Sequence, residues 1–206
     1  MMRLIMTASA NIKAYIFNLP EGEPFSSNAL RNFTSTENIR QILNRLVKSG
    51  EIKRVARGVF VKPKQLSTVE QLPSSFEIAE TLTRSTGETI IVHGAEAARQ
   101  LQLTTQVPMR LVFYTNGNTR TLKIAHRTIK LKHVNPSRLI APGTVASLVI
   151  SALGYLGRSA VTTETIFAIK QQISNKEFKE TVALTAKMPA WMADIFYKYQ
   201  QENMHE

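Results

Sequence analysis

The stretch from residue 26 to residue 64 constrains the chain most, because it reads as one ordered unit: short helical segments, a polar turn, a long amphipathic helix and a basic two-stranded hairpin. Ile39, Ile42, Leu43, Leu46 and Val47 recur at the three-and-four spacing that lines one face of a helix. At about 100° per residue the opposite face carries Glu37, Gln41, Asn44, Arg45 and Lys48, with Asn38 and Arg40 on its flanks. Thr34 with Glu37 three residues later matches a capping box, and Gly50 supplies the left-handed residue that ends a helix. The helix is therefore expected from Ser35 to Ser49.

Upstream, Ser26 or Ser27 can cap a short helix through about Phe33, with Leu30 and Phe33 packing on the longer one and a turn at Thr34 to Thr36 between them. Downstream, Glu51 to Val55 and Val59 to Lys62 read as short strands around Ala56, Arg57 and Gly58, where glycine can take positive φ in a tight hairpin. Lys53, Arg54, Arg57, Lys62 and Lys64 decorate that hairpin. This order predicts a winged helix-turn-helix, whose second helix enters the major groove while a basic wing grips the flanking backbone. An amphipathic helix with basic residues is by itself usually a solvated surface helix; the combination with a preceding turn and a wing is what points to DNA.

The bulk numbers agree with a polyanionic partner. The 206 residues carry a formal net charge of +11. The excess is uneven, since the first 65 residues hold eleven Lys and Arg against four acids. Cysteine is absent, which removes disulfides, thiolate catalysis and cysteine-ligated zinc together and fits a cytoplasmic home. Met1 to Ala10 contain an Ala-Ser-Ala triplet that mimics a signal-peptidase site, but Leu4 to Met6 is too short for an apolar leader core. The most apolar window, Thr144 to Leu156, falls short of the roughly 20 residues that span a bilayer and is read as a core helix, so no membrane partner is expected.

Two domains are predicted, residues 1–65 and 74–206, with an α+β fold overall. Asn11 to Leu19, stopped by Pro20, gives a first helix that braces the reader. Gln65 to Ser75 lacks periodicity and contains Pro73, which places the junction there. Beyond it, the Ser74 and Glu77 capping-box pattern opens a helix ending near Gly87. Thr89 to Val92 and Arg110 to Thr115 read as strands, with an alanine-rich helix from Gly94 to Leu103 between them. Arg120 to Ile124 and Arg127 to Val134 alternate apolar with polar residues around Ala125 and His126, the pattern of a half-buried hairpin with Leu122, Ile124, Ile129 and Leu131 inward. The rest is helical: Thr144 to Leu156, Thr162 to Ile173, Lys176 to Lys187 and Ala190 to Gln201. The second domain is thus a mixed α+β domain with a helical C-terminal part. Trp191, Met192, Ile195 and Phe196 are read as core or as a dimer seam.

The opening helix with Leu19-Pro20, the NIRQILNRLVKSGEIKRVARGVFVKPK run and the later TTQVP and RTIKLKHV segments together resemble the AbiEi-like antitoxins, most strongly over residues 34–64 and 88–134. That resemblance implies a winged-helix domain joined to an antitoxin domain. It also implies an autorepressor that binds inverted repeats in its own promoter and neutralises a nucleotidyltransferase-like toxin, in phage defence, without an assumed stable complex. Carried over to this chain, the reader positions are Thr36, Asn38, Arg40, Gln41, Asn44 and Arg45 on the helix, with Arg54 and Arg57 on the wing. Gln41 or Asn44 is expected to reach bases, since an amide can pair with adenine through two hydrogen bonds, while Arg45 and Lys48 hold phosphates. His93 stands before Gly94, where a small polar residue is expected, so no role is carried over to that strand end.

Catalysis finds little support. The single aspartate, Asp194, argues against metal-dependent phosphoryl transfer, which needs clustered carboxylates. His93, His126 and His133 lack ligand spacing and a supporting carboxylate, so neither a metal nor a cofactor is expected. Gly154 and Gly157 are lone glycines rather than a phosphate-cradling loop, and no serine sits in a nucleophile elbow. Arg120, Lys123, Arg127, Lys130 and Lys132, with His133, suggest a second basic surface on the later hairpin, against the plainer reading of a solvated sheet face. The sequence thus predicts a non-enzymatic, DNA-binding autorepressor and antitoxin. The alternative is a winged-helix regulator whose C-terminal domain senses a small ligand, which requires an apolar pocket with a few convergent polar groups.

Overall fold

Local sequence signals set most element ends in the computed structural model of the chain, which describes residues 7–66, 69–124 and 127–203, without the side chains of 65–70. Leu4 to Met6 of the leader reading, and Ala125 and His126 of the hairpin turn, lie outside those residues. The chain divides into two compact units, residues 1–88 with 123–127, and residues 89–122 with 128–206. The whole is a mixed α+β fold, as expected.

In the first unit, the Thr7 hydroxyl accepts from the Ala10 N–H at 3.3 Å and starts helix α1 (Ala8–Asn18), which buries Ile12 and Ile16 completely. Strand β1 (Pro24–Ser26) follows, where only a helix cap was expected. The helix predicted from Ser26 or Ser27 through Phe33 is a single 3₁₀ turn, Ser27–Leu30, capped by Ser26, the last residue of β1.

Helix α2 (Thr36–Lys48) then buries Ile39, Ile42, Leu43 and Leu46. Its cap is Ser35, which accepts from the Asn38 N–H at 3.4 Å, and not Thr34. At its far end Gly50 takes φ +77°, and the Gly50 and Glu51 N–H groups donate to the Val47 and Leu46 carbonyls. That pair of bonds is the Schellman arrangement that satisfies the last carbonyls of a helix. Val47 is only partly buried, at the edge of the core formed by α1, α2, Phe25, Leu30, Ile52 and Phe60.

Strands β2 (Lys53–Ala56) and β3 (Val59–Val61) form the expected hairpin, with Gly58 at φ +78° and a register shift between Arg54 and Ala56. The sheet order is β1-β3-β2, all antiparallel, with Phe25 opposite Phe60. Ala56 also pairs with Ile124 of the 123–127 segment.

The stretch read as a linker is instead a small hairpin, β4 (Lys64–Leu66) and β5 (Val69–Gln71). Three-residue strands are too short to show periodicity. Helix α3 (Ser75–Arg84) has its capping box formed in both directions between Ser74 and Glu77. It was expected to open the second domain at residue 74, yet it belongs to the first unit. There Thr81 donates to the Pro24 carbonyl at 3.4 Å and Asn28 Nδ2 to Ser85 Oγ at 3.4 Å.

In the second unit the strands β6 (Ile90–Val92), β7 (Leu111–Thr115), β8 (Arg120–Ile124) and β9 (Arg127–His133) lie in the order β8-β9-β7-β6. Strand β7 is antiparallel to β6 and parallel to β9. Side chains alternate across a strand. Ile129 and Leu131 are therefore fully buried on one face, opposite Leu111 and Phe113, while Lys130 and Lys132 stand on the other face opposite Val112 and Tyr114.

Helix α4 (Gly94–Gln100) connects β6 to β7, and α5 (Val145–Leu156), α6 (Thr163–Gln172), α7 (Asn175–Val182) and α8 (Ala190–Glu202) complete the unit. Helix α7 stops five residues short of the predicted end, and a 3₁₀ turn at Thr185–Lys187 takes the remainder. A Cβ on Gly94 would lie 2.4 Å from the Ser151 carbonyl oxygen, so only glycine allows α4 to touch α5 so closely. Met192 and Phe196 are buried, with Trp191 and Ile195 packed against the same core, which agrees with their reading as core residues.

Candidate nucleic-acid interface

Because α2 spends one stripe on the core, everything else on it is available to solvent: Thr36, Glu37, Asn38, Arg40, Gln41, Asn44, Arg45 and Lys48 are all exposed. The 3₁₀ turn, the first half of α2 and the β2–β3 hairpin enclose a concavity of about 350 Å³. Thr36 and Arg40 line it from α2, Arg54, Arg57 and Gly58 from the hairpin, and Ser27, Asn28 and Arg31 from the turn, over a floor of Ile39, Leu43 and Phe60. Four guanidinium groups thus share one surface, and its lining holds no carboxylate.

Two of those groups are pre-positioned. The Arg54 guanidinium lies 5.2 Å over the Phe60 ring and donates from Nη2 to Asn44 Oδ1 at 3.2 Å, tying the hairpin to α2. Arg40 donates through Nε and Nη2 to both carboxylate oxygens of Glu37, at 3.2 and 2.7 Å. The hydrogen bond from Arg40, aided by Gln41, holds the Glu37 carboxyl below its ordinary range, and the pair raises Arg40 in return. Both side chains stay more than half exposed, so the pair is an orienting device rather than a stabilising one.

The remaining predicted reader residues separate. Gln41 and Lys48 stand on the crest of α2, opposite the buried stripe. Asn38 and Arg45, seven residues apart on one line of the helix, fall on the flank away from the concavity, and Asn38 Nδ2 donates to Thr34 Oγ1 at 3.2 Å. Lys53 is exposed at the start of β2. Lys62, expected to decorate the wing, donates to the Phe17 carbonyl at 3.2 Å and lies 3.8 Å from Glu21, so it ties the end of β3 to α1. Arg31 was missed; its only sequence signal is a lone arginine just after the Ser26-capped turn, outside any periodic element.

The residues expected to form a second basic surface divide between the two units. Lys130 and Lys132 are exposed on the same face of β9, while Arg120 is partly buried and donates to the Asn118 carbonyl at 3.2 Å. Lys123 and Arg127 are exposed residues of the segment that belongs to the first unit.

Two histidines, His93 and His133, have structural tasks. His93 Nδ1 accepts from the Ala95 N–H at 3.2 Å and caps α4. Burial, and then the charge of Lys132, push its pKa below the ordinary histidine value. His133 Nδ1 lies 2.8 Å from the Gly117 carbonyl oxygen, which can only accept, so that nitrogen carries a proton. Among the described residues no group of three His, Cys, Asp or Glu side chains can hold a metal ion, and no helix is long and apolar enough to cross a membrane.

No curated protein matches the sequence. One family model does, across residues 11–182, and its description names no activity. A match over that much of both units makes the chain a member of DUF6088, a family of unknown function.

Proposed function

We propose that the first unit is a winged helix-turn-helix reader of duplex DNA and that the protein is a transcriptional regulator without catalysis of its own. The observation that carries this reading is the carboxylate-free concavity, to which the turn, α2 and the hairpin each contribute guanidinium groups. The element order supports it: α1, β1, a short helical turn, α2, then a hairpin whose second strand pairs with β1. In this arrangement α2 enters the major groove, Gln41 on its crest meets base edges, and Arg31, Arg54 and Arg57 hold phosphates on either side. Asn44 reads bases less freely than Gln41, because its carbonyl oxygen already accepts from Arg54.

The resemblance to AbiEi-like antitoxins extends the proposal. The DNA is the protein's own promoter, the functional partner is a nucleotidyltransferase-like toxin made from the same operon, and the protein acts in the cytoplasm.

Titration of the full chain against its upstream promoter fragment and a scrambled duplex tests the DNA reading. Gln41→Ala is expected to cost about 1 to 3 kcal/mol on the promoter and little on the scrambled duplex. Arg57→Ala should weaken both and flatten the slope of log affinity against log salt by about 0.9. Equal losses on both duplexes for Gln41→Ala, or an unchanged slope for Arg57→Ala, contradict these roles. Co-expression with the adjacent nucleotidyltransferase-like gene tests the antitoxin half, and failure to rescue growth removes it while leaving DNA binding intact.

A further inference from the structure

The second unit holds a cavity of about 340 Å³, at the small end of the range that takes organic ligands. Its walls come from β6, β7, α5, the start of α8 and the two 3₁₀ turns. Ile91, Ile140, Ile150, Met188 and Met192 give it an apolar floor. Arg138 and Lys187 bring two cations to its rim, and no carboxylate lines it.

The disposition of Arg138 is the more telling feature. Its guanidinium sits 5.7 Å over the Tyr114 ring. Stacking on a ring face fixes the plane of a guanidinium while leaving its N–H donors at the edge. Among the described residues neither Arg138 nor Lys187 has an ion-pair partner, although cations elsewhere in the unit do, as in Arg99 with Glu96, Lys176 with Glu180 and Lys198 with Glu202. Ser151 and Tyr155 belong to the same wall, and a Cβ on Gly154 between them would touch Met192 Cε at 3.4 Å. The turn bearing Arg138 leads to Ala141 at φ +46°, a strained backbone for a residue with a Cβ.

The larger cavity of the unit, about 580 Å³, is lined by two lysines, Lys170 and Lys179, and by no guanidinium that could grip an anion through two parallel N–H groups. Its Lys170 already lies 5.9 and 5.8 Å over the Phe178 and Tyr199 rings, and its lining runs to Asn203, the last described residue.

We infer that the cavity beneath Arg138 and Tyr114 binds a small organic anion: a ring-sized apolar body that fills the isoleucine and methionine floor, with one carboxylate or phosphate head held by Arg138 and Lys187. The inference stands on the second unit alone and is independent of DNA binding. A bidentate guanidinium–anion pair sets the orientation, and the apolar floor selects against an inorganic ion.

Calorimetry on the full chain, without DNA, tests it with benzoate, phenyl phosphate, inorganic phosphate and neutral benzamide. Benzoate or phenyl phosphate is expected to bind saturably with one site per chain, the stronger of the two identifying the head group. Inorganic phosphate and benzamide should each bind at least about tenfold more weakly, the first lacking the body and the second the charge. Arg138→Gln and Lys187→Gln, both at exposed positions and therefore expected to keep the melting temperature, should each weaken the organic anion by about tenfold. No saturable binding of either organic anion up to about 10 mM overturns the inference. So does benzamide binding as tightly as benzoate, or an Arg138→Gln protein that binds as the parent does.

Discussion

Helices α2 and α4 carry the same local constellation, Glu-x-x-Arg-Gln, as Glu37, Arg40 and Gln41 in one and Glu96, Arg99 and Gln100 in the other. In both, the arginine grips its glutamate through two N–H groups, and in α4 Gln100 adds a third bond to Glu96 at 3.0 Å. The surroundings differ. Glu96 is only 12% exposed at its side chain, on a helix pressed against α5 through Gly94, whereas Glu37 is 59% exposed and faces solvent beside a concavity lined by three further arginines. The i,i+3 spacing explains the ion pair in each case; it does not say whether the pair fastens a helix or presents a guanidinium. That is decided by what the rest of the helix buries.

The largest expected effect lies on the packed copy. Gly94→Val drives a side chain into the Ser151 carbonyl and the Tyr155 Cβ, both 2.4 Å from where a Cβ would sit, and neither backbone can yield cheaply. Overpacking of this kind should cost about 3 kcal/mol in denaturant unfolding. The comparable change at the start of α2, Ser35→Ala, removes a cap and should cost about 1 kcal/mol. Similar losses for the two would mean that α4 is no more firmly packed than α2, and the contrast would dissolve.

Next in size is the effect on DNA. Arg40→Ala should weaken the promoter complex by about tenfold, while Arg99→Ala should leave it unchanged within error. Equal effects in a fluorescence anisotropy titration would show that both arginines act only through net charge.

A smaller, pH-dependent term separates the units further, because α4 is capped by an imidazole and α2 by a hydroxyl. Burial and then Lys132 lower the pKa of His93, so near its ordinary pKa of about 6.5 the unfolded chain binds more protons at this site than the folded one. The His93 contribution is therefore present above that pH and is lost as the pH falls below it. His93→Asn keeps a capping side chain and should remove this part of the pH dependence of unfolding. A slope that survives the substitution assigns the effect to another group.

The same contrast explains what the sequence disclosed and what it hid. The stripe of Ile39, Ile42, Leu43 and Leu46 and the left-handed Gly50 fixed α2 to within a residue at each end, because periodicity and capping are local. The capping register slipped from Thr34 to Ser35 since three hydroxyl residues follow one another before Glu37 and any of them can accept. Strands of three residues left no pattern, so β1 and the β4–β5 hairpin were read as a helix start and a linker. Arg31 escaped for a related reason: its membership in the concavity depends on how the turn folds back against α2, which no spacing encodes. In the later hairpin, by contrast, alternation was legible: Ile129 and Leu131 are buried on one face of β9, and Lys130 and Lys132 stand on the other.

Glu37 offers the smallest and sharpest test, because it is the one acid on the exposed face of α2. Arg40 holds its carboxyl below the ordinary range, so at neutral pH it is charged and repels an approaching phosphate backbone. Two consequences oppose each other in Glu37→Gln. Loss of the negative charge favours any duplex, by about twofold at low salt. Loss of the two-point clamp frees Arg40 to wander, which weakens only those complexes in which its guanidinium must meet a particular base edge. If α2 reads sequence, the scrambled duplex should gain affinity while the promoter gains less or nothing, and the ratio between them should shrink. Glu96→Gln, which carries the same chemistry in the packed setting, should leave both affinities where they were. A parallel gain on both duplexes would reduce Glu37 to a bare charge and take the orienting role away from its pair with Arg40.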